Sequence, residues 1–194
     1  MKKVLSFLII ASICLSILVM GTSCSSTDQI EEFKEKIEEA GSYQLSMTMT
    51  DVPFLGTFTM TAQIDGNIQY TPASMFGEEK YTETVGDATY EYKISDTGEW
   101  IKTKIENTDD DSSDVMSDES FAQLFNPDNY EKVEKNTYKQ KDDVTFEEYR
   151  NVKLTIEEDS CTFEMTVDED GMTCGVTIVI SKIGEIELAL PQVS

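Results

Sequence analysis

From residue 43 onward the chain alternates between apolar and polar positions. Tyr43, Leu45, Met47 and Met49 are separated by Gln44, Ser46 and Thr48. Phe58, Met60, Ala62 and Ile64 are separated by Thr59, Thr61 and Gln63, and Tyr90, Tyr92 and Ile94 by Glu91 and Lys93. A period of two sends one set of side chains to a buried face and leaves the other wet, as in a half-buried antiparallel strand. The same pattern predicts strands at Asn67–Tyr70, Glu79–Val85, Glu99–Ile105, Val152–Ile156, Cys161–Val167, Met172–Ser181 and Glu185–Leu188. Upstream the period is helical. From Ser26 to Ala40, Ile30, Phe33 and Ile37 form one stripe among Glu31, Glu32, Glu35, Lys36, Glu38 and Glu39; this predicts an amphipathic helix. Ser26 with Gln29, or Asp28 with Glu31, suits its start, and Gly41 its end.

Matching faces predicts one turn. If Ile64 shares a face with the apolar residues that follow, it opposes Ile68, and the loop is Asp65-Gly66-Asn67. A two-residue Asp-Gly turn would instead bring Asn67 and Gln69 to the inner face. Further on, NTDDDSSDVMSDES at Asn107–Ser120 breaks the pattern. Its carboxylates lack the spaced Gly and closing Glu of an EF-hand loop, so it reads as a loop and not a calcium site. Ser117 is placed to cap a short mid-chain helix with Phe121, Leu124 and Phe125 inward, ended by Asn126-Pro127. Residues 128 to 143 are polar, with a strand expected around Val133 to Tyr138. TFTMTAQIDG at Thr57–Gly66 resembles TFEMTVDEDG at Thr162–Gly171; convergence of strands that end in an Asp-Gly turn is the preferred reading, a duplicated hairpin the alternative. The predicted fold class is α+β: a strongly curved antiparallel sheet, a half-open barrel, with an N-terminal helix and a short mid-chain helix against it.

The first residues read as a processing segment. Lys2 and Lys3 precede an uncharged run from Val4 to Met20, followed by Gly21, Thr22 and Ser23. Gly21-Thr22-Ser23-Cys24 resembles a bacterial lipobox, although the position three before the Cys, usually a large aliphatic residue, is Gly21. The resemblance implies cleavage before Cys24 and diacylglyceryl on its sulfur. That gives a signal peptide over 1–23, a lipidated N-terminus and short tether over 24–26, and one domain over 27–194. An ordinary secretory peptide or an uncleaved anchor helix are the alternatives. Two acyl chains suffice for stable anchoring, so the expected location is the outer face of the cell membrane.

Composition narrows the chemistry. The net charge of −23 repels nucleic acid and anionic headgroups, so nucleic-acid binding is rejected. With no histidine in the chain, Ser-His-Asp and Cys-His catalysis, His-containing zinc sites and a His general base are all removed. No catalytic residue, cofactor or metal is expected. Cys161 and Cys174 would be the thiols left after processing and lipidation, and an exported compartment favours pairing them. A hairpin with Val167 opposite Met172 keeps them apart; one with Phe163 opposite Met172 brings them together. Both alternatives stand. Neither Cys has the basic neighbour that makes a thiol reactive.

Methionine is frequent in the strands. Met47, Met49, Met60, Met165 and Met172 fall on predicted inner faces with Phe58, Tyr70, Tyr81, Tyr90, Tyr92 and Trp100. Methionine adapts to varied apolar surfaces. Met47, Met49, Phe58, Met60, Tyr70, Tyr81, Tyr90, Tyr92 and Trp100 are therefore candidates to line an apolar ligand site, the alternative being a filled core. A lipobox, a short amphipathic helix and Thr-rich alternating strands are together similar to the LolA/LolB-like and LppX/LprG-like carriers, half-open barrels that hold lipid or acyl chains. The segment EKYTETVGDATYEYKISDTGEWIKTKI also resembles small lipoproteins of Gram-positive bacteria, with a Tyr-rich hairpin leading into Gly98 and Trp100. The resemblance implies a non-enzymatic, surface-anchored binder of an apolar ligand such as lipid. A cell-envelope interaction or sensor module without a ligand is the alternative.

Overall fold

The computed structural model describes residues 28–105, 123–146, 149–169 and 172–193. The proposed signal peptide, Cys24, Ser26, the acidic segment 107–120 and the helix positions Ser117 and Phe121 lie outside the described residues. The chain forms a mainly β, α+β domain: helix α1 (Asp28–Ala40) and one open antiparallel sheet. The strands are β1 (Ser42–Val52), β2 (Gly56–Asp65), β3 (Ile68–Thr71), β4 (Lys80–Val85), β5 (Ala88–Ile94) and β6 (Trp100–Ile105). After the acidic segment come β7 (Tyr130–Glu134), β8 (Thr137–Gln140), β9 (Tyr149–Ile156), β10 (Cys161–Glu169) and β11 (Met172–Ser181).

The sheet order is β6-β5-β4-β3-β2-β1-β11-β10-β9-β8-β7. Two meanders, each built from consecutive hairpins, meet where β1 pairs with β11. Short connections make sequence neighbours sheet neighbours; only the junction joins the first strand to the last. The edges, β6 and β7, do not pair with each other, so the sheet is not closed.

The helix forms as its periodicity predicts. Ile30, Phe33 and Ile37 are buried, and Gly41 at φ 65° ends the helix with its N–H on the Ile37 carbonyl, the left-handed cap that glycine adopts without strain. At its first turn Gln29 Oε1 accepts hydrogen bonds from Tyr138 Oη and Lys132 Nζ. Further along, Lys36 Nζ pairs with Asp159. The helix is thereby held over the core face. Under it lie Tyr43, Leu45 and Met47 of β1, Val152, Leu154 and Ile156 of β9, Cys161, Phe163 and Met165 of β10, and Val176, Ile178 and Ile180 of β11. Leu124 and Phe125 join this core, Phe125 meeting Phe163 edge-on at 5.1 Å. Of the predicted mid-chain helix, the described part is a short turn over Gln123–Phe125; a 3-10 turn, Pro127–Asn129, capped by Asn126, follows it.

Three local expectations are corrected and one open alternative, the pairing of the cysteines, is decided. The β2–β3 loop is two residues, Gly66-Asn67, with Asp65 opposite Ile68 and Ile64 opposite Gln69. Gly66 alone takes a positive φ, 57°, as a tight turn with glycine first requires. Its N–H is held by the Gly41 carbonyl at 2.8 Å, tying the turn to the helix end. Cys161 and Cys174 do not bond to each other. Glu169 pairs with Met172, so Cys174 opposes Val167 and Cys161 opposes Ile180. Six residues of strand, ~20 Å, separate the two, far beyond disulfide reach. The single strand expected near Val133 is a hairpin, β7 and β8, turning at residues 135–136. The strand expected at Glu185–Leu188 does not form; Leu188 N–H instead donates to the Asp65 carboxylate at 2.9 Å.

A bulge accounts for the irregular spacing in β9. Arg150 opposes Thr166 and Lys153 opposes Glu164, so β9 carries one extra residue there. Asn151 takes φ 56° and its side chain reaches Thr166 Oγ1. Because of that extra residue, Tyr149 and Val152 both point into the core although three positions apart.

Candidate functional site

The two-residue turn at Gly66-Asn67 decides where the candidate side chains go. Directly opposed residues in an antiparallel sheet share a face. From the core residue Ile64 the row therefore runs through Gln69, Thr82, Glu91 and Thr103. From Gln63, on the other face, it runs through Tyr70, Tyr81, Tyr92 and Lys102. The nine candidates are split. Met47, Met49, Phe58 and Met60 lie on the core face, while Tyr70, Tyr81, Tyr90, Tyr92 and Trp100 lie on the opposite face of β3–β6.

On the core face, Met47, Met49 and Phe58 are buried and Met60 is partly so. Met47 opposes Met60 and Met49 opposes Phe58. Phe76, from the β3–β4 loop, packs on Phe58 with ring centroids 4.6 Å apart. Across β3–β5 this face turns polar. Gln69 and Thr82 are buried there, and Lys80 and Lys93 both pair with Glu91.

On the opposite face the rings form their own cluster. Tyr70 and Tyr81 are 4.7 Å apart and Tyr81 meets Trp100 at 5.6 Å. These rings and Tyr90 are half-buried; Tyr92 is buried yet lies outside the main core. Two of the polar tips are tied down. Tyr70 Oη donates to Glu79 at 3.1 Å, and Tyr92 Oη donates to Glu83 at 2.7 Å. Lys102 Nζ donates to the same Glu83 oxygen at 3.0 Å and sits over the rings of Tyr90 and Tyr92, 4.2 and 4.9 Å from their centroids. That is cation–π geometry.

Electrostatics follow from these contacts. The hydrogen bonds from Tyr92 and Lys102 hold the Glu83 carboxyl below its usual range. Burial, then the neighbouring Glu79 carboxylate, push the Tyr70 phenol up; for Tyr92 burial is the main cause. Lys102 is raised by its bonds to Tyr92 and Glu83. The result is a fixed aromatic surface with one ion pair set into it. Glu79, Glu83 and Lys102 were not anticipated from the sequence. The signal was present: Tyr81 and Glu83 lie two apart on one strand, and Lys102 falls opposite Tyr92.

Cys161 is deep in the core, and burial pushes its thiol well above the ordinary value, the opposite of what a nucleophile needs. Among the described residues no group of three or more Asp, Glu or Cys side chains could hold a metal ion, and no helix is long and apolar enough to cross a membrane.

The chain matches no known family model and no characterised protein at a significant level.

Proposed function

We propose that this protein is a lipid-anchored, extracytoplasmic interaction module, non-enzymatic, whose recognition surface is the aromatic face of β3–β6. In this reading Cys24 carries the diacylglyceryl group and holds the domain at the outer face of the membrane. One observation carries the choice of surface. Tyr70, Tyr81, Tyr90 and Trp100 stay partly exposed on the side of the sheet away from the main core. A row of half-exposed rings on a rigid sheet is costly to leave in water and suits contact with a partner.

The carrier reading is the weaker of the two. An acyl-chain carrier of the LolA or LppX kind needs a continuous apolar lining. The open sheet with α1 against its core face supports a likeness in architecture. However, the core face is continuously apolar only around β1, β2 and β8–β11, where α1, Leu124 and Phe125 pack. Across β3–β5 it presents Gln69, Lys80, Thr82, Glu91 and Lys93 instead, and apolar side chains, Ile101 and Ile105, return only on the edge strand β6.

A photo-crosslinking amino acid at position 81 or 100 should give a discrete adduct in intact envelopes. The same residue at position 48, among the Thr side chains of the same face, should not. Equal labelling at both places, or at neither, refutes the surface assignment. Lipid retained by the protein in native mass spectrometry would restore the carrier, and the mass of the mature N-terminus tests the anchor separately.

A further inference from the structure

A second apolar feature lies at the sheet end where β1 turns into β2. The loop at 53–55 and the loop at 72–79 emerge side by side there, because β3 runs parallel in space to β1 with β2 between them. Phe76, seated on Phe58, fixes the second loop against the first hairpin. The outcome is a protrusion in which Phe54 is fully exposed, Met75 70% exposed and Leu55 38% exposed. Phe54 holds φ 69°, a conformation bulky residues rarely adopt, in a turn closed by Leu55 N–H on the Val52 carbonyl at 3.1 Å. No Lys or Arg occurs between residues 51 and 79, whereas Asp51, Glu78 and Glu79 flank the protrusion.

We propose that Phe54, Leu55 and Met75 enter the neutral apolar region of the bilayer that holds the chain, giving the domain a second contact and a fixed orientation. The proposal rests on the membrane-anchored reading above. Its occupant is lipid because the feature is convex. A fluid hydrocarbon phase closes around a protrusion, whereas a protein partner would need a matching pocket. The absence of basic residues sets the lipid chemistry: attraction to anionic headgroups plays no part, and neutral lipid is preferred.

The reach is adequate. Gln29 bonds Tyr138, and the paired row Tyr138–Leu154–Phe163–Ile178–Met47 sets its level on the sheet. From Met47 to Val52 is roughly 17 Å of strand, with Phe54 in the turn just beyond. From Cys24 to Gln29 the chain spans up to ~17 Å. A modest tilt brings the anchor and the protrusion to one plane. Tethering then supplies the local concentration that so small a contact requires.

The test uses the full chain extracted from membranes and reconstituted in phosphatidylcholine vesicles, with Phe54→Trp as reporter and the wild type as the Trp100 background. The expected result is a blue-shifted added emission that bromine-labelled acyl chains quench. The effect should weaken when half the lipid is phosphatidylglycerol and persist in high salt. Leu55→Trp repeats the measurement should Phe54→Trp fold poorly. Water-like, unquenched emission from protein that still floats with the vesicles overturns the proposal. So does emission that strengthens with anionic lipid. The N-terminal mass of the same preparation reports acylation independently. An unacylated chain held by its apolar N-terminus that still shows quenching therefore sinks the lipobox reading alone, and a chain that does not float sinks both.

Discussion

Truncating one ring on each face of the sheet tests the division between them. Phe163 is fully buried in β10, paired with Ile178 and Leu154 and met edge-on by Phe125. Phe163→Ala leaves a cavity that the surrounding strands cannot close, a loss of about 3–5 kcal/mol. Trp100 is the larger side chain, on the other face. It is half-buried at an edge strand, with one aromatic contact, to Tyr81. Much of its surface is wet before and after unfolding. Trp100→Ala should therefore cost about 1–2 kcal/mol: partial burial plus an edge contact worth ~0.5–1.5 kcal/mol. With a slope near 2 kcal/mol per molar urea, the midpoints fall by roughly 2 M and by less than about 1 M. Far-UV circular dichroism is the probe, because Trp100 is the only tryptophan and fluorescence would vanish with it. If Trp100→Ala is as damaging as Phe163→Ala, the rings of β3–β6 are core and the proposed recognition surface is wrong.

Three further outcomes follow from single residues. Gly66→Ala should lose ~1 kcal/mol or more, since the new Cβ has open space but the φ of 57° does not suit an L side chain; Gly77→Ala, with open space and no positive φ, should be near neutral in the same urea titration. Glu83 has a lowered pKa when folded, so its contribution is full above the unfolded carboxylate value of ~4.3. It declines as pH falls from there and is gone once pH passes below the folded value. The stability gap between wild type and Glu83→Gln should shrink over that window, and a gap that widens on acidification would contradict the assignment. A maleimide should leave Cys161 unlabelled in the native protein and modify it on unfolding, while the half-buried Cys174 reacts sooner; rapid native labelling of Cys161, read by peptide mass mapping, would refute its burial.

Element by element, local signals carried far. A 3.6-residue stripe of Ile30, Phe33 and Ile37 ending at Gly41 is enough to specify α1, because the helix buries one face and glycine alone takes the left-handed cap cheaply. Strict alternation in β1, β2, β10 and β11 identified those strands and their core faces, since successive side chains on a strand point opposite ways. Where a single residue broke the period, in β9 at Asn151, the strand could be read only from Val152 onward. The mixed polarity of β7 and β8 hid their turn for the same reason.

Which side of the sheet a strand presents is a different matter, and there only the assembled structure decided. Tyr70, Tyr81 and Tyr92 alternate as regularly as Met47 and Met49, and alternation says that a strand has two faces without saying which is inward. One residue more or less in the β2–β3 turn exchanges them. The choice of Gly66-Asn67 is made by the Gly41 carbonyl and by the pairing of Ile68 with Glu83, contacts between residues far apart in the chain. The distance between Cys161 and Cys174 has the same origin: a register set by the whole β10–β11 ladder, which no spacing of two cysteines encodes.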